Sequence, residues 1–158
     1  MDNPGTIIEA NALVEQSPDA IVLADREGVI RVWNAAATRI FGHQPEAALG
    51  QKLDLIVPER FREAHWTGFD RALGAGETKY AGTSMATRSM HADGSALYVE
   101  MSFGMIHDGG AVVGVVATIR DITERFQQER DERTRVKALE ERIATLEASG
   151  ATASDSPA

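Results

Sequence analysis

One histidine stands where an aliphatic side chain would be expected. In the stretch Pro58 to Gly76, PERFREAHWTGFDRALGAG, the residues Phe61, His65, Phe69 and then Ala72 or Leu73 recur at the i, i+4 spacing that aligns side chains on one helix face. A neutral imidazole in such a stripe can be a satisfied core residue, or it can lend a ring-nitrogen lone pair to a metal. Spacing alone leaves both open. Other chemistries lack their residues. The chain has no cysteine, which removes disulfides, thiolate metal sites, CxxCH haem attachment and cysteinyl-flavin photochemistry. It also has no GxSxG, HExxH, P-loop or GxGxxG pattern, so an enzyme is not expected.

The elements that would position His65 follow from composition and periodicity. A length of 158 residues with 43% hydrophobic and 25% charged residues suits one soluble globular domain with an appendage. A net charge of -8 argues against a nucleic-acid surface, which needs clustered Lys and Arg. No basic leader followed by an apolar region opens the chain, and no apolar run approaches the ~20 residues that span a bilayer. A cytoplasmic protein without membrane contact is expected.

Thr6 and Glu9 form a capping-box pattern before Ile7, Ile8, Ala12 and Leu13, predicting a short N-terminal helix within residues 1–16, stopped by Ser17-Pro18. Ala20 to Ala24 and Val29 to Trp33, joined by Asp25-Arg26-Glu27-Gly28, predict a β-hairpin. Asn34 is placed to cap a helix that Gly42 ends; a ligand contact is its other use. Pro45 starts a short helical turn ended by Gly50, and the long His65 helix follows Pro58. Tyr80 to Met90 is expected as a strand, turned back by His91 to Ser95. Leu97, Val99, Met101, Phe103 and Met105 then alternate with Tyr98, Glu100, Ser102 and Gly104, the period of a half-buried strand. His107-Asp108-Gly109-Gly110 closes a hairpin onto Val112 to Ile119, with Val113, Val115 and Ile119 on one face. The order β-β-ααα-β-β-β gives an α+β fold, a five-stranded antiparallel sheet with short helices on one side.

From Asp121 onward the chain is rich in Glu, Arg and Gln and free of glycine and proline up to Ser149, predicting one long helix. Val136, Leu139, Ile143 and Leu146 step as an a/d seam of two heptads. A parallel coiled-coil homodimer is expected, the other possibility being a solvated helix lying on its own domain. Gly150 to Ala158 has nothing to bury, and a disordered tail is expected there.

Over residues 8 to 125 these elements resemble the PAS sensor family. SPDAIVLADREGVIRVWNAAATRIFGH is similar to its opening hairpin and first helix, ADGSALYVEMSF to its fourth strand, and VVGVVATIRDITER to its last strand running into the signalling helix. Asp121-Ile122-Thr123 is similar to the tripeptide that ends such cores and leads into an output coiled coil. The resemblance implies a PAS core over 17–121 and a coiled-coil signalling helix over 122–149. IVPERFREAHWTGFDRAL is similar to the corresponding helix of FixL-type oxygen-sensing haem PAS domains. His65 falls on the position of the iron ligand and Arg71 on that of an arginine that binds a haem propionate. Six residues advance roughly 9 Å along a helix and turn about 240°, so the two suit the centre and edge of a large planar cofactor. An ion pair of Arg71 with Asp70 or Glu77 is the bland alternative. On the facing strand Met85 takes the place of the family's distal arginine. A related subgroup places a methionine ligand two residues earlier, where Thr83 stands, and residues 83 and 85 would share a strand face.

The resemblance thus implies a sensory, signal-transducing domain with haem b, metal ligands His65 and Met85, and a pocket completed by Arg71, Thr83, Met101 and Phe103. A thioether favours reduced iron, so a displaceable Met85 implies a response to a small gas ligand such as CO or NO, or to redox state. For Met85, Met101, Phe103 and Met105 plain core packing is the alternative. Expected partners are a second copy through the C-terminal helix and a downstream signalling protein. The competing expectation is a haem-free module for protein interaction, dimerisation or a small metabolite, with Trp33 and Trp66 as exposed anchors.

Overall fold

The computed structural model describes residues 9–153. The elements in order are α1 (Ala10–Glu15), β1 (Ala20–Asp25), β2 (Ile30–Trp33), α2 (Ala35–Phe41) and α3 (Pro45–Ala48). Single 3-10 turns follow at Leu53–Leu55 and Glu59–Phe61, then α4 (Arg62–Ala75), β3 (Met85–Met90), β4 (Ala96–Asp108), β5 (Ala111–Asp121) and α5 (Thr123–Ala153). The chain divides after Ile122 into two compact units. In the first, five antiparallel strands run in the order β2-β1-β5-β4-β3, so the last strand lies at the centre of the sheet.

Asn34 explains how the opening hairpin locks to its neighbours. It is 1% exposed, and its Oδ1 accepts from the backbone N–H groups of Ala37 at 3.0 Å and Ile21 at 2.9 Å. Its Nδ2 donates to the carbonyls of Val14 at 2.9 Å and Asp19 at 3.1 Å. The predicted N-cap of α2 is therefore also the knot that joins α1, β1 and α2, and no ligand role remains for its amide. Gly42, at φ 78°, ends α2 as expected. The predicted Thr6 cap lies outside the described residues; α1 begins at Ala10 with Glu9 before it.

At the other end of β1, Asp25 orders the hairpin turn. Its Oδ1 accepts from the N–H groups of Glu27 and Val29, both at 3.0 Å, and its Oδ2 accepts from Arg31 at 2.6 Å. Burial pushes its pKa up, but the bonds from Val29, Arg31 and Glu27 outweigh that and leave it below the usual 3.8. A carboxylate with a native pKa below its unfolded one stabilises the fold fully above the unfolded value, and that contribution disappears as pH falls through the native value. Asp25→Asn is therefore expected to lower the urea midpoint at pH 7 and to leave a shallower decline in stability below about pH 4 than the native chain shows.

The core is built on one half of the inner sheet face. Ala20, Val22, Val99, Ile119 and Leu97 meet Trp33, Ala36, Phe41 and Ile56 there, all nearly or fully buried. Trp33, expected as an exposed anchor, is 5% exposed. Burial is possible because Thr38 Oγ1 and the His43 carbonyl, each at 3.1 Å, accept from its indole N–H, and its ring lies 5.5 Å from Phe41. Towards the β4–β5 hairpin the same face is only half covered. Met85, Met101, Phe103, Met105 and Val115 are all half-buried; the face expected to include Val113 ends at Val115, because a register shift between Ile106 and His107 breaks the alternation, leaving Val112 8% and Val113 40% exposed.

In the second unit α5 is a single helix of 31 residues, about 46 Å long at 1.5 Å per residue. It runs to Ala153, past the predicted boundary at Ser149, because Ala151 and Ala153 propagate a helix well and the Ser149 and Thr152 hydroxyls bond back to the carbonyls of Thr145 and Ser149. The rest of the predicted tail, 154–158, lies outside the described residues. Val136, Leu139, Ile143 and Leu146 are 44 to 62% exposed and form an unpartnered seam within this unit. The helix has i, i+4 pairs Arg125–Glu129 and Glu129–Arg133 at 3.9 and 3.8 Å, too exposed to add much stability.

Candidate functional site

α4 is preceded by the 3-10 turn at Glu59–Phe61, and Gly76, at φ 71°, stops it. Phe69 is buried, and His65, Ala72 and Leu73 are half-buried. Phe61 departs from the predicted stripe. It sits in the 3-10 turn, where the i, i+4 period does not hold, is 37% exposed and lies under the Arg60 guanidinium at 4.6 Å.

His65 is enclosed by rings rather than by hydrogen-bonding groups. Trp66 stands edge-on to it at 4.9 Å between centroids and Phe69 lies at 6.0 Å. Its Nδ1 is buried with no hydrogen-bond partner. Burial pushes the imidazole pKa below the ordinary 6.5, with the Asp54 carboxylate pulling weakly the other way, so the ring is neutral at pH 7 and keeps a free lone pair. A buried polar atom without a partner is a net cost to the fold.

The sheet face with the unfilled cover supplies an apolar wall. Register pairs Met85 with Met101, Phe103 with Ala117 and Met105 with Val115. The Tyr80 ring lies 6.2 Å from Phe103; expected as the first residue of a strand, it sits instead in the loop between α4 and β3, and nothing in its spacing singles it out as a site residue. Thr83 is not on this wall. β3 begins at Met85 rather than Tyr80, since Gly82 at φ 72° and a Thr83-to-Tyr80 backbone bond of 3.0 Å turn the chain before it can extend. Thr83 is exposed and its hydroxyl donates to the Tyr80 carbonyl at 3.1 Å, so the shared strand face expected for residues 83 and 85 does not exist.

Arg71 is exposed and lines an open groove of about 420 Å³ with Arg60, Glu63, Ala64, Thr67, Gly68 and Lys79. It forms neither of the ion pairs considered from sequence, with Asp70 or with Glu77; the ion pairs among the described residues lie elsewhere. His65 is absent from that lining. The structure therefore gathers Met85, Met101 and Phe103 on one wall and sets Arg71 and Thr83 apart from them.

Trp66, a second expected exposed anchor, is half-buried instead. Its indole N–H donates to Asp54 Oδ1 at 2.8 Å, and its far edge lies over Gly28 in the β1–β2 turn. Among the described residues no group of three or more His, Asp or Glu side chains is arranged to hold a metal ion. A bare cation would lack ligands, whereas an iron that brings its own macrocycle needs only one or two protein donors. No helix among the described residues is long and apolar enough to cross a membrane.

Comparison with known proteins places these features in a family. The family described as PAS fold matches residues 14–127. Sensor protein FixL of Bradyrhizobium diazoefficiens is 27% identical over 116 residues, covering 73% of this chain and 23% of the relative. Oxygen sensor protein DosP of Escherichia coli is 23% identical over 127 residues, covering 80% of this chain and 16% of the relative. The chain spans less than a quarter of the length of the curated relatives it matches. Among solved structures, the PAS domain of a Colwellia psychrerythraea protein aligns with a TM-score of 0.61 at 24% identity, over 72% of this chain and 94% of that one.

Proposed function

Since this chain belongs to the PAS family of sensor folds, we propose that it is a sensory module that holds haem b through His65 and passes a change at that site to a dimeric C-terminal helix. The observation that carries this is the half-buried, neutral imidazole whose Nδ1 is buried without a hydrogen-bond partner. Similarity to a sensor protein and to an oxygen sensor protein supports the same direction.

The residues present fit a haem on two counts. His65 offers an unengaged lone pair in an aromatic enclosure. The wall of Met85, Met101, Phe103 and Met105 is apolar and incompletely covered, as a flat hydrophobic ring requires. Arg71, exposed at an open groove lined by neither His65 nor the wall residues, does not add to that fit where it stands. When bound, haem supplies an iron that exchanges small ligands or changes redox state. His65 would hold the iron through a ring nitrogen, the apolar wall would exclude water, and Met85 would offer a soft thioether. None of the four wall side chains carries an N–H or O–H donor, while the Tyr80 ring beside Phe103 brings a hydroxyl, so the signal is a small gas ligand or redox state.

The C-terminal helix follows β5 directly in sequence. Its exposed Val136, Leu139, Ile143 and Leu146 fit a second copy of the same helix. A parallel dimer would let packed elements relay a shift at the sheet as a discrete change in the coiled coil. Light scattering after gel filtration should give twice the 17.1 kDa chain mass at tens of micromolar; a monomer at that concentration would rule the dimer out. A haem-free dimerisation module would pass the same test, so hemin binding separates the two.

A further inference from the structure

We infer that Trp66 is a positioning residue that fixes the orientation of the His65 ring and ties it to the β1–β2 turn. An axial histidine is ordinarily oriented by the hydrogen bond that its other ring nitrogen donates. Here that route is closed: His65 makes no side-chain hydrogen bond among the described residues and its Nδ1 is buried, so whichever ring nitrogen meets the iron leaves the other without a protein acceptor. Ring packing must take its place.

Trp66 is built for that task. Its edge-on contact with His65 at 4.9 Å and 77° is matched by one with Phe69 at 5.4 Å and 77°. The indole is itself held at both ends. Asp54 Oδ1 accepts from Nε1 at 2.8 Å, a charge-assisted bond. At the other end a Cβ on Gly28 would fall 2.2 Å from Cη2 and 2.3 Å from Cζ3, so the ring occupies the space that only glycine leaves. The Lys52 ammonium lies over the ring at 5.7 Å.

The supports of Trp66 connect to one another. The Leu53 N–H donates to the Gly28 carbonyl at 3.0 Å, fixing the strap that carries Asp54 to the hairpin turn. Arg62, one helical turn before Trp66, donates to the carbonyls of Asp54 at 3.2 Å and Val57 at 3.1 Å, fixing the same strap to α4. The His65 ring cannot tilt towards Trp66 without breaking the Asp54 bond or displacing the turn at Gly28. Movement of His65 is thereby coupled to the β1–β2 hairpin.

The consequence for haem rests on His65 being its ligand, but the ring clamp is testable without haem. In the hemin-free chain, NMR should show a Trp66 indole N–H that exchanges slowly and through-space contacts between the His65 and Trp66 rings. Asp54→Leu should lose both, and Trp66→Phe should weaken the His65–Phe69 contacts. Asp54→Asn keeps an acceptor oxygen and should retain native behaviour, and circular dichroism checks that each variant is folded. Hemin affinity should fall about tenfold in Trp66→Phe and Asp54→Leu, as for outer-shell partners of metal-bound histidines, and should recover in Asp54→Asn. A native indole N–H exchanging as fast as free tryptophan would overturn the inference, as would folded Asp54→Leu with native ring contacts. If the native chain bound no hemin, the haem assignment would fall while the hemin-free ring contacts still decided the clamp.

Discussion

On the proposed ligation, replacing His65 by alanine is expected to lower hemin affinity by more than the 10- to 100-fold that loss of an outer-shell partner costs. The fold should survive. His65 is half-buried, its Nδ1 makes no hydrogen bond, and its removal deletes a group that is a net cost where it stands. The thermal midpoint of the hemin-free variant should therefore change little, the lost ring contacts with Trp66 and Phe69 being offset by removal of the unpaired Nδ1. A binding-specific loss in a chain of native stability separates a ligand from a packing residue, which would lose stability instead. Met85→Ala serves as the companion. If the Met85 thioether is the second donor, the ferrous spectrum of the variant changes from six- to five-coordinate while hemin stays bound; an unchanged spectrum removes Met85 from the ligand set.

Asn34→Ala is expected to cost about 3–5 kcal/mol, well above the ~1 kcal/mol of an ordinary helix cap. Its four bonds satisfy two backbone N–H groups and two carbonyls in a site that is 1% exposed, so alanine leaves buried groups of both kinds without partners. Asn34→Asp tests the same knot by one atom, turning an oxygen towards the carbonyls of Val14 and Asp19 in place of the donor. Against a domain stability of about 5–15 kcal/mol, either change should shift the urea midpoint strongly. A loss near 1 kcal/mol would mean that Asn34 acts as a cap alone.

What the sequence made legible was local. Asn34 and Gly42 bracket α2, Gly76 ends α4, and the alternation from Leu97 to Met105 lies within β4, because capping and period act over a few residues. Long-range contacts left no such trace. Gly28 was legible as a turn residue, but its contact with Trp66, 38 positions away in the chain, depends on where α4 docks. Trp33 and Trp66 were both open to being exposed anchors, and each instead found an acceptor for its N–H that made burial tolerable. Small residues make Tyr80 to Met90 read as a strand that includes Thr83; Gly82 is the signal that the extended chain begins later. His65 was conspicuous from spacing, yet only the structure exposed its lack of a hydrogen-bond partner.

The haem assignment is tested most directly by titrating hemin into the hemin-free native chain and following the visible spectrum. Ligation through His65 predicts a sharp, shifted Soret band that saturates at one equivalent of hemin. A spectrum that stays that of free hemin throughout the titration would contradict it.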